Sequence, residues 1–282
     1  SIRFKHFKKT YDENILDIKG GLNDVVMNNS PIDIDKLIEG TNEILTANRN
    51  SLQLFDMLHS MRQFDDLTYV HSVNVALIAS ILGQWLKFSE KDIRILTISG
   101  LLHDIGKIMI PNEILTKPGK LTVAEYNIMK QHVNFGYEKV KNQNIDIRIK
   151  EACLLHHEKC DGTGYPFGLK SDHIPAVAKI IAIADVYDAM TSARVYRGAL
   201  CPFEVIDTMY KDAFTKFEPE YILPFLKNVA SSYINNDVRL SDGRIGKVVL
   251  INENALSLPI VQCEDEFIDL SKTRELTVSA IL

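Results

Sequence analysis

The sequence predicts a mainly α-helical protein: a helical bundle with a short helical lead-in and a small antiparallel β appendage at its C-terminal end. Three observations predict it. Apolar residues recur at helical spacing through most of the chain up to Ile234. Capping residues and helix-starting prolines punctuate that stretch. The tail changes to short apolar runs around Ser241-Asp242-Gly243-Arg244, a hairpin signal.

Residues 1–50 read as the lead-in, broken at Ser30-Pro31. Between Ile32 and Asn48, Ile34, Leu37, Ile38, Ile44 and Leu45 resume the helical spacing. Residues 51–234 read as the bundle. Val70 to Phe88 is apolar nearly all round, as a central core helix should be. Ser89 with Asp92 forms a capping box before Ile93 to Leu102, and Thr122 with Glu125 forms another before a single helix from Tyr126 to Val140. Asp146 to His157 makes a further helix. Pro175 suits the first turn of a helix through Ile180 and Asp185 to Met190, and Pro202 and Pro219 start two more. Residues 235–282 form the appendage. Val238 to Leu240 and Ile245 to Ile251 flank the hairpin, and Leu258 to Cys263 and Glu266 to Leu270 supply two further strands. No internal repeat or low-complexity tract interrupts this order.

Composition narrows the function classes. At 282 residues, 46% hydrophobic and 24% charged, the chain can bury a good-sized core. A net charge of -5 disfavours a long nucleic acid as partner. A small anionic ligand stays open, because a few placed cations and metals outweigh a mildly acidic surface. Cys153, Cys160, Cys201 and Cys263 form no CxxC pair, which fits free thiols in a reducing cytoplasm. No apolar run reaches the ~18 residues that a bilayer requires, and no signal peptide opens the chain. The sequence starts on Ser1 rather than Met, so an upstream sensor or anchor stays open.

Five of the eight histidines fall in order with two aspartates: His71, His103-Asp104, His132, His156-His157 and Asp185. Imidazole and carboxylate suit divalent iron, manganese or zinc. Several such groups in apolar helices are costly to bury unless they share a partner. Seven exceed the needs of one ion and suit two ions sharing a bridging carboxylate, an arrangement that clamps a phosphate and activates water. The bland alternative is a structural helical protein, because a lone histidine on an apolar helix is usually a packing residue. Metal analysis separates the two.

The motifs around these residues carry a resemblance. His103-Asp104-Ile105-Gly106-Lys107 resembles the HD motif of the HD phosphohydrolase superfamily. His156-His157-Glu158-Lys159-Cys160-Asp161-Gly162-Thr163-Gly164-Tyr165-Pro166 is similar to the segment that defines the HD-GYP family. Ala184-Asp185-Val186-Tyr187-Asp188-Ala189-Met190-Thr191-Ser192, followed by Arg194, Tyr196 and Arg197, resembles that family's third block. The resemblance runs from about His71 to Arg197 in the family's order. It implies an HD-type helical bundle and a metal-dependent cyclic di-GMP phosphodiesterase giving linear pGpG, or GMP on complete hydrolysis.

It also implies roles. His71, His103, Asp104 and Asp185 would ligate one metal. Asp104 would bridge to a second held by His132, His156 and His157. The division of these three histidines between the ions stays open. Lys107 would reach the phosphate or a bridging water, and Arg194 and Arg197 would hold substrate phosphates, which suits guanidinium geometry. Tyr165 is either buried beside the site by its turn or part of a lip that meets substrate or a protein partner. Family members with three metals carry a glutamate four residues before the first histidine. Leu67 stands there and cannot ligate, so two divalent ions, iron or manganese, are expected. A different cyclic dinucleotide or nucleotide as substrate, or a silent nucleotide-binding module, are the rivals. The lead-in could pair two copies into a homodimer.

Other residues read as bland. Cys160 is not a ligand position in the family, His173 reads as a cap or surface residue, and His6 and His59 belong to no motif. Trp85 and Phe88 read as packing, and Lys139, Lys141 and Lys211 as solvated charges.

Overall fold

The computed structural model describes residues 2–48, 50–60, 67–192, 199–273 and 275–282. Helices dominate up to Ser232, and a five-stranded antiparallel sheet follows. The lead-in is α1 (Ile2–Asn28) and α2 (Ile34–Ala47), separated at Ser30-Pro31 as expected, with Asp33 capping α2 through the Lys36 amide. Then come α3 (Ser51–Ser60), α4 (Leu67–Trp85) and α5 (Glu90–Leu102). Val73, Val75, Ala76, Leu77, Ile78 and Ala79 on α4 are all fully buried, so α4 is the central helix its composition predicts.

Between α5 and the next long element lie a 3-10 turn (Ile105–Met109) and the short α6 (Asn112–Leu115). The expected helix from Tyr126 to Val140 is two helices, α7 (Val123–Met129) and α8 (His132–Val140). The capping box of Thr122 and Glu125 forms in full, but the chain turns again at Lys130-Gln131, and His132 starts the next helix as a buried residue. The Ser89 cap forms only in part: its hydroxyl accepts from the Asp92 amide, and Asp92 receives the hydroxyl proton rather than reaching back to the cap backbone.

The bundle closes with α9 (Ile147–Leu155), α10 (Ala176–Thr191), α11 (Pro202–Asp212) and α12 (Pro219–Ser232). Pro202 and Pro219 stand in the first turns, as expected, and Pro175 is the residue just before α10. The sheet contains β1 (Asp237–Leu240), β2 (Ile245–Leu250), β3 (Ile260–Cys263), β4 (Glu266–Asp269) and β5 (Val278–Ile281), in the order β4-β3-β2-β1-β5. β5 pairs with β1 at Arg239 opposite Ala280, an element the sequence reading lacks.

One buried apolar cluster runs from Phe7 and Tyr11 on α1 through α4, α5 and α10 to Val238 and Val261 of the sheet. Trp85 packs on Phe55 and Phe225, as expected of a core residue. Lys139 departs from its expected role as a solvated charge. Its ammonium donates to the Val26 carbonyl and the Asn29 side chain, tying α8 to the C-terminal end of α1. No helix among the described residues is long and apolar enough to cross a membrane.

Candidate metal centre

Five elements bring the expected ligands together. His71 comes from α4, and His103 and Asp104 follow the end of α5. His132 opens α8, His156 and His157 follow α9, and Asp185 sits on α10. Two sets result, Asp104 with His132, His156 and His157, and His71 with His103 and Asp185. Within each set the candidate ligand atoms lie within 4.8 Å of one another. Cys160 and His173 belong to neither; His173 is exposed and pairs with Asp172.

The imidazoles are held in one tautomer. Nδ1 of His103, His132 and His156 lies 2.7, 2.7 and 2.9 Å from the carbonyls of Gly100, Met129 and Ala152. A carbonyl only accepts, so each Nδ1 carries the proton and each Nε2 presents a lone pair inward. Those three Nε2 atoms are buried and have no hydrogen-bond partner among the described residues, and neither does Asp104 Oδ1. Burying four such groups unpaired is costly. His132 and His156 converge with Asp104 in one set and His103 belongs to the other, as ligands of two neighbouring ions require, so the residues fit such a pair.

Asp104 stands between the sets. Its Oδ1 lies 3.3 Å from His132 Nε2 and 3.7 Å from His156 Nε2, whereas Oδ2 lies 3.3 Å from His103 and 3.6 Å from His71. Lys107 Nζ is 2.5 Å from Oδ2. Burial opposes ionisation of Asp104, but His103 and the Lys107 ammonium outweigh it and hold the carboxyl well below its usual range. Asp185 is likewise held low against burial, through its hydrogen bond to His71.

His71 differs from the other ligands. Both its nitrogens face carboxylates, Nε2 at 2.9 Å from Asp185 and Nδ1 at 2.7 Å from Asp188. Burial disfavours its charge, yet the two carboxylates push its pKa up to about 9. Burial pushes His132 down to about 3 and also lowers His103 and His157. Asp188 accepts from Asn74, and Asn74 accepts from the Tyr11 hydroxyl. These three supporting residues were missed in the sequence. Asp188 stands in the third block, and its spacing of three from Asp185 is the signal the sequence offers for it.

The glycines of the motifs have packing reasons. A Cβ at Gly106 would sit 1.9 Å from the His132 carbonyl oxygen, so only glycine lets the HD turn touch the start of α8. A Cβ at Gly164 would meet the Glu158 Cα at 2.5 Å; this glycine serves close packing, whereas Gly162 uses a positive φ of 83°. Glu158 is buried and clamps the loop, accepting from the amides of Phe167, Gly168 and Leu169 at 2.7, 3.2 and 2.9 Å. The clamp holds Tyr165 stacked on His157, with centroids 4.7 Å apart and planes at 20°. Burial pushes the Tyr165 phenol up, so it stays protonated. Arg194 and Arg197 lie outside the described residues.

Comparison with known proteins places this chain in a family. The HD domain family matches residues 39–221. A cyclic di-GMP phosphodiesterase of Pseudomonas aeruginosa is 36% identical over 203 residues, covering 72% of this chain and 49% of that protein. A 3'3'-cGAMP-specific phosphodiesterase of Vibrio cholerae is 36% identical over 173 residues, covering 60% and 38%. The chain thus spans about half the length of the cyclic di-GMP phosphodiesterases it matches. In structure it is similar to Bd1817, a HDG"Y"P protein from Bdellovibrio bacteriovorus, at a TM-score of 0.57 and 20% identity over 76% of this chain and 70% of that one, which shows the shared fold. Family match, helical fold and the motif carrying His103-Asp104 agree, and the chain belongs to the HD domain family.

Proposed function

We propose that the chain is a metal-dependent phosphodiesterase that opens the ring of cyclic di-GMP to linear pGpG. The observation that carries this reading is the pair of ligand sets meeting at Asp104, with four buried ligand atoms that have no hydrogen-bond partner among the described residues. His71, His103 and Asp185 would hold one divalent ion, His132, His156 and His157 a second, and Asp104 would serve both. When bound, such a pair polarises a phosphodiester and supplies activated water at neutral pH. Iron or manganese suits the donor set. The relatives named as cyclic di-GMP phosphodiesterases support the substrate.

The chain's own residues do the remaining work. Lys107 is anchored by Asp104 and only 18% exposed, so its ammonium is a fixed cation for the charge that develops on the non-bridging phosphate oxygens. Tyr165 forms a rigid wall at His157 and limits how the sugar-phosphate ring enters. By resemblance, Arg194 and Arg197 add bidentate phosphate contacts. Leu67 in place of a third-metal glutamate supports two ions, and with them pGpG rather than GMP.

The Vibrio cholerae relatives named for 3'3'-cGAMP favour one second reading, the same chemistry on a mixed dinucleotide. A direct test is a competition. The protein, purified without chelator and reloaded with manganese(II), receives equal amounts of the two dinucleotides, and products are resolved by chromatography. Faster loss of cyclic di-GMP with pGpG accumulating is expected. Faster loss of 3'3'-cGAMP would move the substrate, and tight binding without turnover would demote the chain to a binding module.

A further inference from the structure

Where Nδ1 of His103, His132 and His156 meets a backbone carbonyl, Nδ1 of His71 meets a carboxylate. That carboxylate is itself held. His71 and Asn74 stand three apart on α4, and Asp185 and Asp188 stand three apart on α10, so each pair shares one helix face. The two faces meet. Asp188 Oδ2 lies 2.7 Å from His71 Nδ1, and Asp188 Oδ1 accepts from Asn74 Nδ2 at 3.0 Å. Asn74 Oδ1 in turn accepts from the hydroxyl of Tyr11 on α1. Tyr11, Asn74 and Asp188 are each only 1% exposed. A buried polar chain of this kind fixes the orientation of every member, because any rotation leaves a group unpaired in a low-dielectric interior.

We infer that Tyr11 and Asn74 are positioning residues that lock Asp188, and through it the ring of His71, so that the lead-in helix α1 is part of the metal centre. This rests on the metal reading given above. Outer partners of metal-binding histidines set ring orientation and ligand basicity, and their loss weakens metal binding by about 10–100-fold. Tyr11 acts two hydrogen bonds away from His71, which puts it at the low end of that range. The consequence is that whatever shifts α1 against α4 changes the hold on His71 through Asn74 and Asp188.

The test uses manganese(II) affinity of the full chain, read by chelator competition, beside the unfolding midpoint of each metal-free protein. Tyr11→Phe removes one hydroxyl and keeps the ring stacked on Phe7 (centroids 5.7 Å apart). Thr41→Val is the control. It removes an equally buried hydrogen bond to α1, from Asn14 at 2.9 Å, that leads nowhere near His71. Tyr11→Phe is expected to weaken manganese(II) binding about tenfold and Thr41→Val less than about twofold, while both lower the unfolding midpoint. Asp188→Asn, directly against His71, is expected to lose more than Tyr11→Phe. Tyr11→Phe binding within twofold of the unsubstituted protein, a Thr41→Val loss equal to it, or a reversed order of Tyr11 and Asp188 would overturn the inference. If the unsubstituted protein takes up no manganese(II), the metal reading itself falls.

Discussion

His71 and His132 are both buried imidazoles, and their surroundings drive them in opposite directions. Burial pushes His132 down to about 3, whereas Asp185 and Asp188 overcome burial and push His71 up to about 9. In the metal-free protein each shift becomes a pH dependence of stability. A neutral His132 gives stability that is complete above the unfolded value of about 6.5 and drains as pH falls toward 3. A charged His71 gives stability that is complete below about 6.5 and is lost as pH rises through 9. The unfolding midpoint of the metal-free protein should therefore peak between about pH 6 and 7; a midpoint rising steadily from pH 5 to 9 would contradict it. Glu158 makes a second residue-scale prediction. Glu158→Ala strands three amides, which costs about 2–3 kcal/mol and frees Tyr165 from His157. Denaturant unfolding and substrate KM should both worsen, and unchanged values would remove the clamp from the account. The metal-capable residues were legible in the sequence because histidine and aspartate are conspicuous in apolar helices. Asp188, Asn74 and Tyr11 were not, because their partners are set by where α1, α4 and α10 cross.

Among the elements, local signals read best where a side chain decides the matter alone. Thr122 and Glu125 cap α7, and prolines open α11 and α12. The reading failed where tertiary contact decides. Tyr126 to Val140 has helical periodicity throughout, yet the chain breaks at Lys130-Gln131 so that α8 can approach Gly106. β5 was missed because Val278–Ile281 is short and becomes a strand through its pairing with β1. The contact between Gly106 and α8 yields a prediction at this scale. Gly106→Ala forces a methyl into the His132 carbonyl, which should cost about 3 kcal/mol and weaken metal binding by displacing His132. Calorimetry with and without manganese(II) checks it, and an alanine variant that melts and binds normally would mean that α8 tolerates the shift.

For the whole molecule, the lead-in, bundle and sheet share one buried apolar cluster, so the HD region at residues 39–221 does not stand apart from its flanks. The family fold was legible from compound motifs spanning His71 to Arg197; the union of α1 with the site was not, because helical periodicity says where a face is and not what covers it. An ion bound only by the folded chain must also stabilise it, in proportion to the logarithm of its concentration over Kd. The most direct test of the central claim is metal content, measured by mass spectrometry of protein purified without chelator, for the unsubstituted chain and for Asp104→Ala. The account predicts about two divalent ions per chain in the first and a loss of metal in the second, since the two oxygens of Asp104 face the two ligand sets. No metal in the unsubstituted protein after reloading with iron(II) or manganese(II), or full metal content in Asp104→Ala, would contradict it.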